Sequence, residues 1–206
     1  MSFPASLLEM AVGAALILVL PGPTNTLLFV SGLRVGLRTT LPLVAAEAIG
    51  YITAISLLGF LLVAVPGRFA WVHAVIKGIS AVYVGYLALK MWSQSQLIKE
   101  RADRVVSTTD MLVATLTNPK GLLFASTIFP VESFRSAQHF FVAMICFLAI
   151  LVPVGIGWVS LGSACNQSNS LIRQTPRLLR AASLVLMFLS GSLMYSVVKA
   201  YALNLV

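Results

Sequence analysis

Apolar residues in this chain fall into long unbroken runs, not the short alternating patterns of a soluble sheet or the one-sided stripes of a surface helix. Residues 48–65 and 140–164 contain no Asp, Glu, Lys or Arg. Runs of about 18 or more uncharged residues match the hydrocarbon thickness of a bilayer. Polar clusters separate them: Arg34, Gly36 and Arg38; Pro66-Gly67-Arg68; the mixed segment Ser93 to Thr109; Glu132, Ser133 and Arg135; and Asn166 to Arg180. The pattern predicts an all-α integral membrane protein, a single transmembrane domain over 1–206. Its spans, about six of them, are expected near 5–33, 40–65, 71–92, 110–130, 138–163 and 180–201.

Composition supports this pattern. Of 206 residues, 59% are hydrophobic and 10% are charged, against about 25% charged in a typical soluble domain. The net charge of +8 would suggest nucleic acid in a soluble protein. In a membrane protein it follows from basic cytoplasmic loops, so no nucleic-acid partner is expected. Arg34 and Arg38, then Lys90, Lys99, Arg101 and Arg104, then Arg173, Arg177 and Arg180 mark the odd-numbered loops. Those loops are expected in the cytoplasm and both termini outside. The apolar run 7–20 opens from a leading segment, residues 1–9, that carries Glu9 and no basic residue. It is therefore read as part of a retained helix and not as a signal peptide.

The two cysteines, Cys146 and Cys165, would lie at opposite ends of one helix, beyond disulfide reach. With only His73 and His139 besides, no imidazole or thiolate metal site is expected. No nucleophile–base set and no G-x-x-x-x-G-K-[ST] sequence is present. Neither an enzyme nor a cofactor is expected, and ATP-driven transport by this chain alone is disfavoured.

Two of the spans carry a break. Pro21-Gly22-Pro23 falls within the first and Asn118-Pro119-Lys120-Gly121 within the fourth. Proline removes a backbone donor and clashes with the preceding turn, so both helices should kink or unwind. Irregular backbone at membrane depth is tolerated only inside protein or along a wet cavity. Leu27-Leu28-Phe29-Val30-Ser31 follows the first break and Leu122-Leu123-Phe124-Ala125-Ser126 the second. This echo predicts two repeats, near 1–92 and 110–206, joined by a cytoplasmic loop at 93–109. With three spans each, the second half would be inverted, the plan of many secondary transporters whose binding site lies at the breaks.

Glu47 is the most informative single residue. A carboxylate in hydrocarbon costs about 2.5–3.5 kcal/mol on insertion scales, so it should face the bundle interior. Burial favours its neutral form, which suits it to couple proton movement to substrate movement; the competing reading is a structural carboxyl paired with a lysine. Lys120, in the second break, would either pair with Glu47 or bind a substrate carboxylate; the bland alternative is a lysine snorkelling to the interface. Helix N-termini after Pro23 and Pro119 would offer N–H groups to an anion. Thr24, Asn25, Thr26 and Asn118 would add side-chain hydrogen bonds or simply satisfy the backbone freed by proline. Glu9 is read as interfacial. Trp71 and Trp92 bracket the third span as an aromatic belt, while Tyr83 and Tyr86, three apart on one helical face, would line the path or pack, with packing the favoured reading. Ala81 and Gly85 would allow close helix contact.

Pro21-Gly22-Pro23 with Thr24, Asn25 and Thr26 resembles the opening of the LysE/RhtB amino-acid exporters. Asn118-Pro119-Lys120, with the apolar run to Pro130, resembles their second signature, and Ser80 to Lys90 is similar to their third span. One departure concerns the second span, where that family usually carries an acidic or amide residue directly after a glycine. Here Gly50 is followed by Tyr51, and Glu47 lies one turn earlier on the same face. Ser80 and Ala88 stand at glycine positions of the third span, and the lead-in to the fourth span lacks its aromatic and glycine residues. The resemblance implies export of amino acids or closely related small polar metabolites across the bacterial inner membrane by proton antiport. Its partners would be lipid, an amino-acid-like substrate and protons, with a homo-oligomer left open. The residues implicated in substrate binding or coupling are Pro21, Gly22, Pro23, Thr24, Asn25, Glu47, Tyr51, Asn118, Pro119 and Lys120. The other readings are a passive channel for small neutral solutes, against which Glu47 argues, and a non-transporting membrane subunit, against which the paired breaks argue.

Overall fold

The computed structural model describes residues 3–64 and 105–165, with isolated helical positions between 75 and 89 and between 184 and 198. Most of the third and sixth expected spans, with Trp71, Trp92, Tyr83 and Ala81, and residues 93–104 of the expected loop lie outside the described residues. Of the residues expected to pack in the third span, Tyr86 is exposed. Among the described residues every regular element is helical.

Helix α1 (Phe3–Val19) is apolar and stops just before Pro21, because the residue preceding a proline is driven out of the helical region. Helix α2 (Pro23–Ala64) opens with proline in its first turn, where the missing N–H costs nothing. Gly36 interrupts α2 at φ 78°, ψ 175°, a backbone conformation that a Cβ would strain. Nothing lies within 4 Å of the space a Cβ would take at Gly36, so the demand for glycine there is conformational. The chain folds back at this point: the Cβ position of Gly155 is within 3.5 Å of both Leu28, before Gly36, and Val44, after it.

Helix α3 (Thr108–Leu116) begins with a capping box in which Ser107 and Asp110 satisfy one another's backbone N–H groups. It ends at Thr117, and Asn118 starts the short helix α4 (Pro119–Leu123). A π turn (Phe124–Ile128) and a 3₁₀ turn (Val131–Phe134) lead into α5 (Ala137–Cys165). The expected fourth span is therefore two helical pieces and a π turn in succession. The uncharged runs of α2 and α5 are both long and apolar enough to cross a membrane. Leu57, Leu61, Phe141, Ile145 and Leu161 stand exposed on them, as lipid-facing residues do.

Close backbone approaches hold α5 against α2. A Cβ on Gly32 would collide with the Val159 carbonyl, and one on Gly162 with the Phe29 carbonyl. Small residues permit this approach where lipid supplies no hydrophobic drive between helices. Gly50 similarly admits Thr115 of α3, and Gly59 the ring of Phe134. The buried apolar residues form two clusters. One contains Met10, Leu18, Ile55, Phe124, Phe129 and Phe147; the other contains Leu28, Leu43, Val44, Met111 and Val159. A polar layer lies at their junction.

Candidate functional site

The polar layer is built where the two helix breaks meet. The break at Leu20, Pro21 and Gly22 leaves the carbonyl end of α1 without its usual donors, since Pro21 and Pro23 have no N–H. Asn25 reaches back from the first turn of α2, and its Nδ2 donates to the Leu18 carbonyl at 2.7 Å and the Leu20 carbonyl at 2.8 Å. Lys120 Nζ donates to the same Leu20 carbonyl at 2.6 Å across 100 residues of sequence. Its stem lies against Gly22, whose Cβ position is 3.0 Å from Lys120 Cε and 3.1 Å from Nζ. Gly22 is thus the residue that lets the lysine dock.

The second break presents a helix start. Asn118 caps it with its own side chain, Oδ1 accepting from the Lys120 N–H at 3.1 Å. That bond fixes which way the amide points. Nδ2 is then directed across the interface, donating to Tyr51 Oη at 2.9 Å and Thr24 Oγ1 at 3.2 Å. One amide therefore joins α4 to both arms of α2. Tyr51 is held by edge-on contacts with Phe124 and Phe147, at centroid distances of 5.6 and 5.9 Å.

Glu47 completes the layer from the second arm of α2. It is 1% exposed, and neither carboxylate oxygen has a hydrogen-bond partner. Thr24, Tyr51 and Lys120 are its polar neighbours, the Thr24 hydroxyl lying near enough to interact with the carboxyl. On its other side, Oε2 lies 3.4 Å from the Cβ position of Gly155 on α5. The Lys120 ammonium, also 1% exposed, is bonded to the helix carbonyl and not to the carboxylate. Lys120 thus has a backbone partner, with Glu47 as an electrostatic neighbour. A buried charged carboxylate without a partner costs several kcal/mol.

Each residue implicated in substrate binding or coupling is among the described residues. Thr24, Tyr51 and Asn118 converge with Glu47 and Lys120. Asn25 serves the α1 carbonyls, and Pro21, Gly22, Pro23 and Pro119 shape the breaks. Thr26 donates its N–H to the Gly22 carbonyl at 2.9 Å, a backbone contact. The α4 N–H offered by Lys120 is taken by Asn118, so this helix start is not open to an anion. Glu9 is exposed on α1. Sequence reasoning missed Gly155, Leu20 and Ser31. Gly155 sits in a glycine- and proline-dotted apolar run where nothing singles it out, and the Leu20 carbonyl is invisible in a side-chain reading. Ser31 is buried with its hydroxyl unpartnered. Among the described residues no cluster of His, Cys, Asp or Glu could hold a metal ion.

Residues 15–197 match the family model described as LysE type translocator. Comparisons with curated proteins and with solved structures give no significant match.

Proposed function

This chain belongs to the LysE type translocator family and is a membrane transporter; we propose that it is a secondary exporter of amino acids or closely related small polar metabolites, driven by proton antiport. The observation that carries this reading is the unpartnered Glu47 carboxylate at the junction of the two helix breaks. A buried acid with no fixed partner can exchange a proton for a cationic group, which is what antiport requires of one residue. In the export cycle Glu47 takes a proton from the outside and releases it inside, alternating with the substrate's ammonium. Thr24, Tyr51 and Asn118 supply orienting hydrogen bonds, and Lys120 supplies the positive charge for a carboxylate. The same reading places the protein in a bacterial inner membrane as two inverted halves of three spans, with both termini outside.

The test is uptake of a panel of labelled amino acids into sealed inside-out vesicles, with and without an imposed proton gradient. The reading expects uptake of one chemical class that collapses with the gradient, and loss of gradient dependence in Glu47→Gln. Full gradient-driven uptake by Glu47→Gln would remove the proton role. Flux indifferent to the gradient in the unaltered protein would favour a channel.

A further inference from the structure

The Lys120 ammonium is bound in a way that a zwitterion could replace piece for piece. It sits on the carbonyl end of α1, where the helix dipole and the proline-freed Leu20 carbonyl both favour a cation. A buried carboxylate without a partner, Glu47, is its electrostatic neighbour. Together these make a site with two acceptors, a helix carbonyl and a carboxylate, and one tethered cation occupying only the first. The bond crosses between the two broken regions, so it also ties α4 to the end of α1.

We propose that Lys120 is a built-in latch: its ammonium holds the Leu20 carbonyl in the closed state, and an incoming primary ammonium displaces it there. The inference rests on the exporter reading above and adds to it the identity of the ammonium subsite and the competitor that guards it. Displacement proceeds as an exchange of partners. The substrate's ammonium takes the Leu20 carbonyl and Glu47, and the released Lys120 ammonium takes the substrate's carboxylate. No covalent bond changes and net charge in the layer is preserved. A ligand with an ammonium alone would free the lysine and leave it buried without a partner. A ligand with a carboxylate alone would draw the ammonium off the Leu20 carbonyl and leave it with Asn25 as its remaining donor. The latch therefore selects for both charges in one molecule. Gly22 sets its strength, because a methyl group there would press on Cε and Nζ at 3.0–3.1 Å without removing any polar group.

The experiment measures equilibrium binding of labelled methylammonium to purified full-length protein, comparing the unaltered chain with Lys120→Met and Gly22→Ala. Methionine keeps the apolar stem in its groove and deletes only the competing charge, so a gain reports the carbonyl–carboxylate site and not a hole left by the side chain. Lys120→Met is expected to bind methylammonium about tenfold or more tighter than the unaltered protein, since a cation no longer has to displace a charged hydrogen bond. Adding Glu47→Gln to Lys120→Met should abolish the gain. Gly22→Ala should show a smaller gain together with a lower melting temperature in detergent, a combination that simple damage to the fold would not produce. Equal binding in all three proteins, or no gain in either variant, overturns the latch. Amino-acid uptake in vesicles without any methylammonium gain would refute the latch and leave the exporter reading standing. A methylammonium gain in a protein that moves no amino acid would do the reverse.

Discussion

The two helix breaks look alike in sequence, each a proline among small polar residues, but they pose opposite chemical problems. The first leaves a helix C-terminus, where carbonyls lack donors. The second leaves a helix N-terminus, where N–H groups lack acceptors. The second is solved locally, by the Asn118 side chain accepting from the N–H two residues on. The first is solved in part from nearby, by Asn25, and in part from Lys120 across the fold. A locally solved break can form before its partner arrives, whereas a break capped at long range is complete only when the two regions dock. In the latch proposed above, that difference makes the first break the one that a ligand opens.

Replacing asparagine by aspartate should therefore have opposite consequences at the two breaks. Asn25→Asp turns a donor into a charged acceptor facing the Leu18 and Leu20 carbonyls. It should be the most damaging change, costing roughly 3–5 kcal/mol, and worse than Asn25→Ala. Asn118→Ala comes next, at about 3 kcal/mol, because it removes the cap and leaves the Tyr51 and Thr24 hydroxyls without their donor. Asn118→Asp keeps the cap acceptor and should be milder than Asn118→Ala. Melting temperatures of the four variants in one detergent give both rankings, and the same order at both positions would refute the distinction between the breaks.

Packing and capping elsewhere provide smaller effects. Gly50→Ala places a methyl group 2.6–2.8 Å from the Thr115 side chain. Since α3 must shift to accept it, a loss of about 1–3 kcal/mol is expected. Ser107→Ala removes an exposed capping box far from either break. It should cost about 1 kcal/mol and leave amino-acid uptake unchanged. A large loss of uptake in Ser107→Ala would mean that α3 is coupled to transport in a way its cap does not suggest.

Much of the site could be read from the chain because charge in an apolar run is expensive. Glu47 and Lys120 announce themselves as buried, and proline marks where backbone must come free. The resemblance of the Pro21–Thr26 and Asn118–Lys120 segments to amino-acid exporters points to the family that residues 15–197 match. The partners were another matter. Lys120 donates to the Leu20 carbonyl, a bond that a side-chain reading does not contain. A backbone carbonyl has no signature in sequence, and whether it is open depends on what docks beside it. Gly155 was equally hidden, since its role is set only by its approach to Glu47, Val44 and Leu28.

What the sequence determined by itself was local and solvent-driven: apolar runs that demand a bilayer, prolines that break two helices, and polar residues beside the breaks that can satisfy the freed backbone. What only the tertiary structure decided was which polar group satisfies which. Polar groups at membrane depth must find partners within the protein, and the pairings of Lys120 with Leu20 and of Asn118 with Tyr51 and Thr24 depend on distances across the fold. Those distances are set by glycines such as Gly32, Gly162 and Gly22, which let one backbone or side chain approach another.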